Sequence, residues 1–199
     1  MIGLGFRIKS GYAIAVVLAG SRGAPAAVAR HIVELSDPGA AETRQPYHDG
    51  FGREQHDAGE IARRVKIVRR CAKHAIAALL QDSRCLQTPG RRPGHTGPRT
   101  QAALVVGSVT DPDTLANPHI RAHANEGRLF RTVVEDALRT HGVSCRILLE
   151  KQLPITAISA LRRDEREIGR TLTEFGKAVG APWRADEKAA ATAAWMALK

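Results

Sequence analysis

The stretch Ile2-Gly3-Leu4-Gly5-Phe6-Arg7-Ile8-Lys9-Ser10-Gly11-Tyr12-Ala13 decides how the rest of the chain is read. It reads as a strand, a tight turn at Ser10-Gly11 and a second strand that runs on through Val16-Val17. A secretory leader is the rival reading, because Arg7 and Lys9 precede an apolar run over residues 12–19 that ends at Gly20-Ser21. A leader opens on its charges, whereas here an apolar segment over residues 2–6 comes before them. The strand pair is therefore expected.

Outward from this hairpin, residues 26–35 form a third extended segment, with Val28, His31, Ile32, Val33 and Leu35, and stop at Ser36-Asp37-Pro38-Gly39. Residues 38–54 are a polar, glycine-containing connection around Tyr47-His48-Asp49-Gly50. Residues 54–81 give the clearest helix. Ile61, Val65, Val68, Ala72, Ile76 and Leu79 recur at three- and four-residue spacings, with Arg63, Lys66, Arg70 and Lys73 opposite them. That basic face is either a solvated helix surface or a stripe that tracks phosphates.

Pro89, Gly90, Pro93, Gly94, Gly97 and Pro98 then break any regular element, and Arg84, Arg91, Arg92 and Arg99 make the stretch positive. A flexible basic loop at about 82–100 is expected, either functional or simply disordered. Residues 102–106 (Ala-Ala-Leu-Val-Val) look like a central buried strand. Asn117-Pro118 starts a helix that runs to about residue 140, and residues 143–149 are another strand. Helices over about 156–179 and 186–198 close the chain, separated by Gly180-Ala181-Pro182. Three strands, helix, strand, helix, strand, helices is the order of an α/β fold. It gives a mixed sheet, a three-strand meander followed by alternating helices and strands, covered by helices.

Composition narrows the function. At 199 residues the chain has room for one domain with a real core, taken as 1–199, and not for a second full domain. Lys and Arg number 30 against 20 Asp and Glu, a net charge of +10, which favours polyanionic partners. Aromatic residues are only 4%, so Ala, Val, Leu and Ile must build the core. No run of 18 apolar residues is present, which excludes a bilayer-spanning helix. Cys71, Cys85 and Cys145 are odd in number and scattered, giving neither a disulfide framework nor paired-cysteine metal spacing. A reduced cytoplasm is the expected location.

Four segments carry a resemblance to a known family. The opening hairpin is similar to a first strand reading Gly-Leu-Asp-Tyr/Phe-Gly. Leu104-Val105-Val106-Gly107 is similar to a Val-Val-Gly-Leu-Pro strand end, with Ser108 and Val109 in place of Leu-Pro. Ile147-Leu148-Leu149-Glu150-Lys151-Gln152-Leu153-Pro154-Ile155 resembles a Val-Asp-Glu-Arg-Leu-Thr-Thr segment. Ala185-Asp186-Glu187-Lys188-Ala189-Ala190-Ala191 resembles a Val-Asp-x-x-Ala-Ala-Ala helix start. Together they resemble the YqgF-type branch of the Holliday-junction-resolvase-like proteins, within the RNase H-like superfamily.

The resemblance implies an RNase H-like sheet and metal-dependent cleavage of structured nucleic acid. It places Glu150 and Asp186 as ligands of Mg²⁺ or Mn²⁺, and it puts Gly5 where the family has its first-strand Asp. Phosphodiester hydrolysis needs divalent ions held by hard oxygen ligands, so the lost carboxylate bears directly on activity.

Other residues could fill that gap. Asp111 follows the central strand, near where catalytic groups collect in open sheets, though Asp also suits a Pro-containing turn. His119, His123 and Glu126 share one helix face, a spacing that could hold a transition metal or orient a general acid or base. Packed histidines and a locally stabilising Glu are the plain alternative. Trp183 is either a stacking platform for a base or a plug between helices.

Three readings follow. A metal-dependent nuclease keeps Glu150 and Asp186, with Asp111 or the His119/His123 pair replacing the lost Asp. A non-catalytic module binds structured RNA or branched DNA through Arg63, Lys66, Arg70, Lys73, Arg91 and Arg92. A scaffold docks on an acidic protein through the last helix, with Trp195 and Met196 as the contact.

Overall fold

In a computed structural model of the chain, which describes residues 1–50, 52–82 and 100–199, the opening hairpin is present. Strand β1 (Ile2–Lys9) pairs antiparallel with β2 (Tyr12–Gly20), and Gly11 turns the chain with φ +85°, a conformation that residues with a Cβ rarely adopt. Strand β3 (Pro25–Glu34) pairs antiparallel with β2, with a register shift between Val17 and Leu18. Strands β4 (Thr100–Val106) and β5 (Ser144–Leu149) add in parallel, so the sheet order is β3-β2-β1-β4-β5. The expected basic loop with Arg84, Arg91, Arg92 and Arg99 lies outside the described residues, as does Cys85.

Helix α1 (Ala58–Gln81) begins four residues later than its periodicity predicts. Asp57 caps it by accepting from the backbone N–H groups of Gly59 and Glu60, and the residues before the cap are tied into a small hairpin in which His48 pairs with Glu54. Helix α2 (Pro118–Thr140) starts where Asn117-Pro118 predicts, with the Asn117 side chain accepting from the N–H of Ile120. The single helix expected over 156–179 is two, α3 (Leu153–Leu161) and α4 (Glu165–Val179). Arg162 takes a left-handed φ of +53° at the break, and Asp164 opens α4 with a capping box to Glu167. Helix α5 (Ala185–Ala197) ends the chain.

Strand alternation divides the core between two faces. Leu4, Phe6, Ile8, Ala15, Val17, Leu104 and Val106 face a layer that includes Val68, Ala72 and Ile76 of α1 and Phe130, Val134 and Leu138 of α2. Val16, Leu18, Ala103, Val105 and Leu148 face α3, α4 and α5. On this second face β1 carries Gly3 and Gly5, and α5 lies directly on its backbone. A Cβ at Gly5 would overlap the Ala190 carbonyl oxygen and the Ala194 nitrogen, and one at Gly3 would overlap the Ala194 carbonyl oxygen.

The docking contact expected of α5 is corrected by this packing. Trp195 is fully buried, donates from its indole N–H to the Arg22 carbonyl at 2.9 Å and meets Phe175 edge to face, and Met196 is buried beside it. Trp183 plugs the gap between helices, lying against Gly176 and donating its indole N–H to the Leu172 carbonyl at 2.8 Å. Among the described residues no helix is long and apolar enough to cross a membrane.

Candidate functional site at the carboxyl edge of the sheet

The parallel strands β1, β4 and β5 all end at one edge, at Lys9, Val106 and Leu149. Ligand sites in open α/β sheets form at such edges, because strand ends fix side chains while the following loops leave room. Glu150 follows β5 directly, and Asp186 sits in the first turn of α5. The fold brings these two carboxylates together on one residue, Arg7 of β1.

Arg7 Nη2 donates to Glu150 Oε2 at 2.6 Å, and Arg7 Nε lies 3.3 Å from Asp186 Oδ1, an ion pair without hydrogen-bond alignment. Lys9 Nζ is 3.1 Å from the same Asp186 oxygen. The Arg7 side chain is 7% exposed, and its Nη1 also donates to the Ile8 carbonyl at 3.2 Å. Its position follows from strand alternation, since Arg7 falls on the same face of β1 as Gly3 and Gly5 and clears the end of α5.

These residues do not fit a Mg²⁺ or Mn²⁺ pair. Divalent hydrolytic ions need clustered oxygen ligands whose negative charge is unspent. Here the guanidinium and ammonium groups already neutralise Glu150 and Asp186. Gly5 adds a second obstacle, because α5 occupies the space a carboxylate there would need.

Beside Arg7 and Lys9 a cleft of about 430 Å³ opens between the ends of β1 and β4 and the α2 surface. Arg7, Lys9, Arg128 and Arg131 line it together with backbone and small residues over 107–110, and among the described residues its lining includes no Asp or Glu. Asp111 sits in the loop after β4. It accepts from the Asp113 N–H at 3.2 Å, as the cap of a short 3₁₀ turn, and lies 3.7 Å from Arg128 Nη1.

Arg63, Lys66, Arg70 and Lys73 are exposed along α1. Arg63 is held by two carboxylates, Glu60 at 2.8 Å and Glu42 at 2.7 Å, and Arg70 lies 3.8 Å from Asp37. Arg91 and Arg92 fall outside the described residues.

His119 and His123 converge with a residue the sequence did not single out. His48 Nε2 is 3.4 Å from His119 Nδ1, and His123 Nε2 is 3.2 Å from His119 Nε2. Behind them Glu126, fully buried, accepts from His48 Nδ1 at 2.7 Å. Burial pushes the Glu126 carboxyl up to about 7 and lowers the pKa of both His48 and His123.

The connection carrying His48 is fixed at several points. Arg64, buried on α1, donates to the His48 carbonyl at 2.7 Å, and Arg121 of α2 clamps Glu54 bidentately at 2.9 and 2.6 Å. The only sequence signal for His48 was its place in a polar loop, since its partners lie 71 and 78 residues away. Arg7 was readable only as a strand cation.

No protein-family model matches the chain, and no curated protein matches it. Among solved structures, RuvC of Thermus thermophilus superposes with a TM-score of 0.54 at 13% identity, covering 98% of this chain and 92% of that one. RuvC of the same organism in complex with a Holliday junction substrate gives a TM-score of 0.54 at 11% identity, covering 98% and 91%. With its 3-2-1-4-5 mixed sheet and helices on both faces, the chain has an α/β fold that matches RuvC and is consistent with an RNase H-like architecture.

Proposed function

We propose that this protein is a cytoplasmic RNase H-like domain that binds structured nucleic acid, folded RNA or branched DNA, at the carboxyl edge of its sheet without metal-dependent cleavage. One observation carries the reading. Arg7 and Lys9 stand as built-in cations on Glu150 and Asp186, and they open onto a cleft whose charged lining, among the described residues, is basic. In a two-metal nuclease the same place attracts phosphate through bound ions. Here Arg128 and Arg131 add positive charge beside the paired Arg7 and Lys9, and no side-chain cation supplies an activated water or a Lewis acid for the leaving oxygen. The net charge of +10 adds long-range attraction for a polyanion.

RuvC in complex with a Holliday junction supports this use of the fold, and the short motifs at 104–107, 147–155 and 185–191 favour a divergent YqgF-type relative.

Fluorescence anisotropy with a labelled four-way DNA junction and an RNA hairpin, over a series of KCl concentrations, tests the binding half. Affinity is expected to fall steeply and linearly in log–log form as counterions compete. Arg128→Ala combined with Arg131→Ala is expected to weaken binding about tenfold and to reduce the salt slope by about 1–2. Salt-insensitive binding, or a double variant that binds like the parent, would refute the cleft as the interface.

A further inference from the structure

We propose that His48, His119 and His123 form a single transition-metal site that takes Zn²⁺ through one imidazole nitrogen each, with Glu126 as the buried carboxylate behind it. Tetrahedral zinc with bonds of about 2.05 Å sets its ligand nitrogens about 3.4 Å apart. His123 Nε2 lies 3.2 Å from His119 Nε2, close to that spacing, whereas the 3.4 Å contact of His48 Nε2 is with the other His119 nitrogen, Nδ1. One ligand nitrogen from each of the three falls within 4.8 Å of the others. Small side-chain rotations of His119 and His123, both at the surface, close the remaining gap.

Glu126 is the second and independent observation. A fully buried carboxylate is costly without a compensating charge. Its Oε1 lies 2.7 Å from His48 Nδ1, and in the tautomer whose Nδ1–H donates to that oxygen the His48 Nε2 lone pair is left for the cluster. Its Oε2 is buried without a hydrogen-bond partner and lies 3.6 Å from His123 Nδ1, so the same carboxylate backs a second imidazole. Carboxylate–histidine–metal relays orient metal ligands in this way.

Three nitrogen donors favour zinc over Mg²⁺, which prefers oxygen, although Cu²⁺ and Ni²⁺ would compete. The cluster faces a cavity of about 580 Å³, which leaves a fourth position for water or an anionic ligand. His123 also lines the basic cleft, so such a ligand would sit beside the cations of that cleft. The site does not depend on nucleic-acid binding.

The test uses full-length protein stripped with a chelator and titrated with Zn²⁺ by calorimetry. A parallel Co²⁺ titration is followed by the visible absorption of four-coordinate cobalt. One equivalent with a Kd below about 10 μM is expected, with a higher melting temperature in the metal-bound protein. His119→Ala and His123→Ala, both at the surface, are each expected to weaken binding at least tenfold, and Glu126→Gln by roughly 10–100-fold. Circular dichroism of the stripped variants separates loss of metal from loss of fold. No saturable uptake would mean that the three rings are a metal-free hydrogen-bonded chain. Uptake unchanged in the folded His119→Ala/His123→Ala double variant would place the metal elsewhere. Either result overturns the site.

Discussion

A buried guanidinium between two carboxylates acts as both counter-ion and brace. Arg7 joins the end of β1 to Glu150 after β5 and to Asp186 on α5, three elements remote in sequence. Glu150 is 48% exposed and Asp186 31%, so water screens much of the attraction, and most of the cost of losing Arg7 comes from its buried stem. Arg7→Ala is expected to lower stability by about 1–2 kcal/mol, read as a lower urea midpoint, with Arg7→Lys recovering part of it. An unchanged midpoint in Arg7→Ala would show that the pair contributes nothing.

The resemblance to YqgF-type proteins aligns Gly5 with a carboxylate of that family. It does not show what fills the space, because the approach of α5 to β1 joins residues about 185 positions apart, beyond any local pattern. Arg7 and Lys9 read as ordinary strand cations for the same reason. Glu126 was placed on the right helix face with His119 and His123, but its burial depends on the loop carrying His48, which no periodicity announces.

Helix α5 and strand β1 set the next scale. Their close approach depends on Gly3 and Gly5, so an aspartate placed at Gly5 is expected to break the fold rather than create a metal site. Gly5→Asp should lower stability by more than about 3 kcal/mol or leave the protein insoluble, measured by expression and chemical unfolding. A well-folded Gly5→Asp protein would contradict the packing described.

Helix α1 carries a second device, a three-residue ion network. Glu60 accepts from Arg63 and Arg64, and Arg64 in turn holds the His48 carbonyl. Those hydrogen bonds lower the Glu60 carboxyl from 4.5 to about 2. A depressed folded-state value gives stability that is fully present above about 4.5 and lost as pH falls toward 2. The urea midpoint should therefore drop between about pH 4.5 and about pH 2, and Glu60→Gln should flatten part of that slope. Equal slopes for both proteins would remove Glu60 from the account. Helix and strand existence was legible from spacing and turn residues, as α2 starting at Asn117-Pro118 shows. The break at Arg162 was not, because α3 and α4 both carry helical spacing and only the Asp164 capping box separates them.

For the whole molecule, the order of strands and helices in the sequence was enough to reach the RNase H-like architecture, because a meander followed by βα units leaves few ways to build one sheet. Function needs the convergence of side chains that only the folded chain displays. The charge of +10, the cleft whose charged lining among the described residues is basic, and the cations on Glu150 and Asp186 are the features on which the proposed phosphate-binding surface rests. The most direct measurement is one incubation of the purified protein with a labelled four-way DNA junction and a structured RNA, in Mg²⁺, in Mn²⁺ and in chelator. Each sample is read on native and denaturing gels beside Asp186→Asn. Shifted, intact substrate in every condition is the expected result. Metal-dependent cleavage that disappears in Asp186→Asn would contradict the account.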